Sequence, residues 1–176
     1  MKGTLLAASA VAVMLLGGCS KAEDAAKPGS GTLALTAPSS APAAPAAACA
    51  HAACADNFYV DAVPADGCAA GSPCTLAVKL VATGDFHIND EYPYRFKADD
   101  APGVEFLGTD AAGKGSFTKG AGDWKKTEEK SGTMTVKFTP AASGPKAVSG
   151  TFKLSVCSAA NCLLEQRPVS ATIVAK

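Results

Sequence analysis

Thr133-Met134-Thr135-Val136-Lys137-Phe138-Thr139 places an apolar side chain at every second position and a Thr or Lys between each pair. A strict period of two is the signature of a strand with one face in a core and the other in water. The same pattern recurs on both sides. Leu76, Val78 and Leu80 alternate with Ala77 and Lys79, and Phe58, Val60 and Ala62 alternate with Tyr59 and Asp61. Downstream, Phe152, Leu154 and Val156 alternate with Lys153 and Ser155, and Val169, Ala171 and Ile173 with Ser170 and Thr172. Turn formers separate these runs at Pro64–Gly67, Gly71-Ser72-Pro73, Pro102-Gly103 and Pro140–Pro145. About seven short strands without a helical period predict an all-β chain, an antiparallel β-sandwich over residues 57–176. A domain of that size buries enough surface to fold alone.

One internal segment departs from the pattern. Gly113–Lys130 is rich in Gly and Lys, holds the only tryptophan, Trp124, and shows no alternation. It reads as a long loop, and long loops in small domains serve function or stay disordered. A lid or docking role for Trp124 is the functional expectation.

Upstream of the strands the composition changes. Residues 19–56 are dominated by Ala, Pro, Ser and Gly from Pro28 onward, which cannot bury enough apolar surface to offset ordering. They predict a disordered Ala/Pro-rich tail, with a short helix allowed in Ala46–Ala55 by alanine's propensity. Before it, Met1-Lys2 is followed by an apolar run from Thr4 to Leu16, and then by Leu16-Gly17-Gly18-Cys19. The run is shorter than a membrane span and has the order of a secretory signal, residues 1–18. Its ending resembles the lipobox of bacterial lipoproteins, which implies that Cys19 carries the lipid (palmitate among the acyl chains) and becomes the first mature residue. The expected location is the bacterial cell envelope, at the outer membrane facing the periplasm, with the lipid anchor as the membrane contact.

Charge narrows the partners. Lys+Arg and Asp+Glu are 16 each, and loss of Lys2 leaves 15 against 16. A near-neutral chain lacks the basic footprint of a nucleic-acid binder. No phosphate-cradling glycine motif is present, and His51 and His87 do not assemble with a serine and an aspartate into a hydrolytic triad. No cofactor is implied.

Of seven cysteines, Cys19 is assigned to lipid, leaving Cys49, Cys54, Cys68, Cys74, Cys157 and Cys162. An even set in an exported protein predicts disulfides, with 15 connectivities allowed. Cys157 and Cys162 flank the four residues Ser158–Asn161 between two strand patterns. A hairpin of that size brings its flanking residues within bridging distance, so these two are expected to pair. The strand phase puts Cys157 with Lys153 and Ser155, on the solvent side. A loop this short contributes only about 2 kcal/mol, and modest stabilisation with access is the profile of a reducible bond. Cys68 and Cys74 flank a flexible turn and read as a structural local bridge. Cys49-Ala50-His51-Ala52-Ala53-Cys54 offers too few ligands for tetrahedral zinc, so no metal is expected and disulfide use is favoured. The pairing among Cys49, Cys54, Cys68 and Cys74 stays open.

His87-Ile88-Asn89-Asp90-Glu91-Tyr92-Pro93 is the densest polar cluster. His87, Glu91 and Tyr92 are candidate docking residues, and His87 a candidate general base. The favoured reading gives Tyr92 and Pro93 the start of a strand, with His87 and Asn89 satisfying backbone groups.

Gly84–Phe96 and Phe152–Val156 with Cys157 and Cys162 also carry a family resemblance. They resemble the N-terminal periplasmic domain of the DsbD-type thiol–disulfide interchange protein. The resemblance implies an immunoglobulin-like fold, a redox role for Cys157 and Cys162 toward a thioredoxin-like partner, and a cap over the cysteines at Gly113–Lys130. It departs in spacing: the family places five residues between its cysteines and follows the second with aromatic and proline residues. This chain has four, followed by Leu163-Leu164-Glu165. The leading expectation is therefore a membrane-anchored envelope lipoprotein with a non-catalytic β-sandwich for interaction or structure. The alternative is a thiol–disulfide exchange module working through Cys157 and Cys162.

Overall fold

A computed structural model describes residues 49–176. The expected signal sequence (residues 1–18), the expected lipidation site Cys19 and most of the Ala/Pro-rich segment lie outside the described residues. Eleven strands make two antiparallel sheets. In chain order they are β1 Ala53–Ala55, β2 Phe58–Pro64, β3 Cys74–Ala82, β4 His87–Ile88, β5 Arg95–Ala98 and β6 Val104–Phe106. There follow β7 Ser116–Thr118, β8 Trp124–Glu128, β9 Ser131–Pro140, β10 Gly144–Cys157 and β11 Cys162–Ala175. The first sheet runs β1-β2-β3-β9-β6, with β8 also on β9; the second runs β11-β10-β5-β7, with β4 also on β10.

The alternation that predicts strands is the alternation that builds the core. Leu76 faces Val136, and Val78 faces Met134, across β3 and β9, and all four are fully buried. In the second sheet Phe96 stands between Phe152 and Phe117. These rings join Leu154, Val156 and Ile88 in the apolar cluster shared by both sheets. Gly150 is required where β5 crosses β10, because a Cβ there would lie 2.4 Å from the Lys97 carbonyl oxygen and 2.5 Å from the Phe96 ring.

Two expectations are corrected. Gly113–Lys130 is not an irregular loop, since it contains β7 and β8. Two carboxylates organise it. Asp110 accepts from Ala112 N, Ser116 Oγ and Thr118 Oγ1, while buried Asp123 accepts from Thr118 N. Trp124 is 8% exposed and stacks on Tyr94 with centroids 4.0 Å apart, so it belongs to the core and offers no docking surface.

The fold also begins earlier than position 57. Cys49 and Cys54 are bridged, and β1 pairs with β2, so Ala53–Ala55 is strand where composition allowed a helix. His51 is clamped to β2 by a 2.8 Å contact from Nδ1 to Asp61 Oδ1 and by stacking on Tyr59 at 3.9 Å. Local helix propensity, a few tenths of a kcal/mol per residue, loses to a covalent ring and an added sheet edge. A chain truncated to start at Asp56 should therefore melt several degrees below one that starts at Cys49, measured by thermal circular dichroism under oxidising conditions. Equal melting would show that this segment only decorates the domain.

Candidate functional site

The hairpin between β10 and β11 carries the Cys157–Cys162 bridge at its tip, with the two Cα atoms 4.0 Å apart. The tip is built by Ser158 and Asn161. Ser158 N donates to Asn161 O at 2.8 Å, and Ser158 Oγ lies 3.0 Å from Asn161 Oδ1 and accepts from Ala160 N. These short-range bonds hold the cysteines in register on a loop whose Ala159, Ala160 and Asn161 are exposed.

The two sulfur-bearing residues differ in exposure. Cys162 is exposed, whereas Cys157 is only 7% exposed. This corrects the expectation that Cys157 lies on the solvent side. Its phase along β10 is the polar one, with Lys153 and Ser155, but β4 is paired alongside it at this end. β4 pairs with β10 so that His87 is the cross-strand neighbour of Cys157 and Ile88 that of Val156. Beyond β4, Asn89 N and the Tyr94 hydroxyl both donate to Ser155 O, and Asn89 Nδ2 donates to Ser155 Oγ. Ser155 is consequently fully buried despite its polar phase.

Direct cross-strand partners share a face. One row of that face is therefore His87, Cys157 and Cys162, and Ser155 and Leu164 stand beside each other in the next. Leu164, at 68% exposure, is an apolar side chain in water next to exposed Cys162.

The segment that hydrogen-bonds to Ser155 next to the cysteines is Asn89–Tyr94, not Gly113–Lys130. Two lysines from that second segment hold it. Lys126 Nζ reaches Asp90 Oδ2 at 2.7 Å, and Lys119 Nζ donates to Asp90 O. The Lys126 hydrogen bond holds the Asp90 carboxyl below the usual carboxylate range. Tyr94 supports the segment from beneath. Burial pushes its phenol far above the ordinary value, so it stays a neutral donor to Ser155 O at 2.7 Å.

The remaining candidates separate. Tyr92 is half-buried, with its ring edge-on to Tyr94 at 5.2 Å, and burial raises its phenol pKa. Glu91 is exposed, and its backbone N–H closes a turn onto Asn89 Oδ1. Asn89 satisfies backbone groups as expected; His87 makes no such bond among the described residues, and its ring is half-buried beside the cysteines. Cys68 and Cys74 are bridged at the opposite end of β3, and Cys49 and Cys54 on the outer side of the first sheet. Among the described residues no three His, Cys, Asp or Glu side chains gather as a metal site. An open groove of about 400 Å3 on the first sheet, lined by Tyr59, Lys79, Glu128 and Thr133 among others, contains neither cysteine nor histidine.

The nearness of His87 to Cys157 was hidden in the sequence, where 70 positions separate them. Only the β4–β10 register joins them. Comparison with protein-family models, with curated proteins and with solved structures finds no match to this chain.

Proposed function

We propose that this chain is a lipid-anchored envelope protein whose immunoglobulin-like domain exchanges its Cys157–Cys162 disulfide with a dithiol partner of thioredoxin type. The observation that carries the reading is the unequal exposure of the two cysteines, with His87 beside the buried one. Exchange begins with attack by a thiolate on an accessible sulfur, and here that sulfur is Cys162 Sγ. The partner thiolate forms a new S–S bond to Cys162, the old bond breaks, and its electron pair leaves on Cys157 as thiolate. That thiolate takes up a proton from solvent, with His87 as its cross-strand neighbour. The partner's second thiol then attacks its own sulfur in the mixed disulfide and releases Cys162. The net change is a partner dithiol oxidised to disulfide and Cys157/Cys162 reduced to dithiol. In the reverse direction the exposed Cys162 thiolate is the nucleophile.

A purely structural role, with the domain serving only interaction or support, uses the same fold but needs no accessible sulfur. The reduction potential separates the two. An exchange site is expected well above about −300 mV, the region below which structural disulfides lie. Equilibration with glutathione buffers, read by mass spectrometry at Cys157 and Cys162, gives the value. A potential below that limit would make the bridge a staple and return the domain to the non-catalytic reading.

Anchoring rests on Leu16-Gly17-Gly18-Cys19. The Cys19→Ser chain should leave the membrane fraction or accumulate unprocessed. Membrane recovery of a correctly processed Cys19→Ser chain, at the wild-type level, would remove the lipid from the proposal.

A further inference from the structure

The geometry points to the free edge of β11 beside the disulfide as the site where the partner docks, as an antiparallel strand carrying its cysteine opposite Cys162. This rests on the exchange reading for its chemistry, while the strand pairing stands on backbone geometry alone.

The direction of each backbone group on β11 follows from the hairpin. Ser158 N–H bonds Asn161 O, so Ser158/Asn161 is a hydrogen-bonded pair and Cys157/Cys162 the adjoining non-hydrogen-bonded pair. The other flank of β10 agrees: Ser155 O, in the same phase as Cys157, is turned away from β11 toward Asn89 and Tyr94. The β10–β11 register then runs without a break to Gly144 and Ala175. The residues whose N–H and C=O turn outward are therefore Cys162, Leu164, Gln166, Pro168 and every second residue onward to Lys176.

β11 ends its sheet, and bare edges are ordinarily blocked because they template pairing with other chains. Besides the packing of β2 near β11, with Arg167 over the Phe58 ring, strand addition along this edge is blocked at two places. At its far end Lys176 N donates to Cys68 O, and Ala70 N donates to Lys176 O. In its middle Pro168 occupies an outward position and has no N–H to offer. From Cys162 to Gln166 there is no proline, and no backbone group among the described residues bonds the outward positions. The open stretch is the one that contains the exposed cysteine and Leu164.

A strand added antiparallel there makes hydrogen-bonded pairs with Cys162, Leu164 and Gln166. Cα atoms in such pairs lie about 5.5 Å apart, within the 4.4–6.8 Å span of disulfides. A partner cysteine opposite Cys162 is thus placed for the mixed disulfide. The residue two positions before it falls opposite Leu164 and should be apolar. The edge selects an extended segment of the form apolar–any–cysteine, by strand addition.

The probe is the hexapeptide Thr-Thr-Val-Thr-Cys-Thr, compared with 2-mercaptoethanol, on the oxidised mature chain and its Gln166→Pro variant. Proline at 166 removes one outward N–H and no bond to β10. One hydrogen bond of ordinary net strength corresponds to roughly a threefold to tenfold change. Gln166→Pro should slow mixed-disulfide formation with the hexapeptide by about that factor and leave the 2-mercaptoethanol rate unchanged. Equal rates with the hexapeptide, or equal slowing of both thiols, would overturn the docking mode while leaving exchange intact. Loss of a self-associated dimer in Gln166→Pro with unchanged hexapeptide rates would also overturn it, since the edge then pairs copies of the chain.

Amide hydrogen exchange tests the pairing without the chemistry. With the serine version of the hexapeptide, the amides of Leu164 and Gln166 should gain protection, whereas those of Leu163 and Glu165 face β10 already. Absence of that alternation overturns strand addition whatever the exchange rates show. If neither thiol opens the bridge, the exchange reading fails and the protection pattern still decides the docking surface.

Discussion

Phe138→Ala should destabilise the domain by about 3–5 kcal/mol, the usual cost of emptying a large aromatic site in a core. Phe138 is fully buried on β9, between Cys74 of β3 and Phe106 of β6. Strands flank it on both sides, so the surrounding backbone cannot collapse into the space. The double variant Cys157→Ala, Cys162→Ala is the comparison. It opens a loop of only a few residues, for which the chain-entropy model gives about 2 kcal/mol. Urea unfolding under oxidising conditions should therefore place the double variant between wild type and Phe138→Ala. If the double variant proves the less stable of the two, the hairpin tip is part of what holds the sheets together and its bridge is no candidate for reversible opening.

That ordering reflects how the chain encodes its fold. Long strands with strict alternation, β3, β9 and the Phe152–Val156 part of β10, are legible because period two and one buried face are the same physical fact. The phase of a strand says which side faces the core, but not what lies over the other side. Ser155 and Cys157 have the solvent phase and are nevertheless buried: Asn89 and Tyr94, more than 60 residues away, hydrogen-bond to Ser155, and β4 pairs alongside Cys157. For the same reason the segment beside the cysteines could not be assigned from sequence, and it is β4 with Asn89–Tyr94.

Short elements escape for another reason. In β7 all three of Ser116, Phe117 and Thr118 are buried, so no alternation exists to detect, and the strand is specified by Asp110 and Asp123 instead. In Cys49–Ala55 composition argued for tail or helix. The bridge to Cys54 and the His51–Asp61 contact override it. The hairpin pairing itself was readable, because Cys157 and Cys162 are local in sequence and their register follows from the turn. Their difference in exposure was not, since it comes from β4.

That difference yields the sharpest chemical expectation. In Cys157→Ser the remaining sulfur is on exposed Cys162, with no intramolecular thiol to resolve an adduct. Incubation with oxidised glutathione should drive it to a stable mixed disulfide. In Cys162→Ser the remaining sulfur belongs to Cys157, only 7% exposed, with His87 alongside. Thiol exchange requires an in-line approach to sulfur as well as thiolate character, so labelling there should be slower by on the order of tenfold or more, the cost of restricted access. Both variants keep the sheets and the apolar cluster intact, so the contrast reads the site and not the stability of the fold. Intact-mass spectrometry over a time course measures it directly. Equal labelling of the two variants would mean that β4 with Asn89–Tyr94 moves aside freely, and the direction of attack through Cys162 would lose its basis. A strong contrast, removed when Asp90→Ala releases the segment from Lys126, would instead identify the Asp90–Lys126 pair as the pin that keeps Cys157 the protected partner.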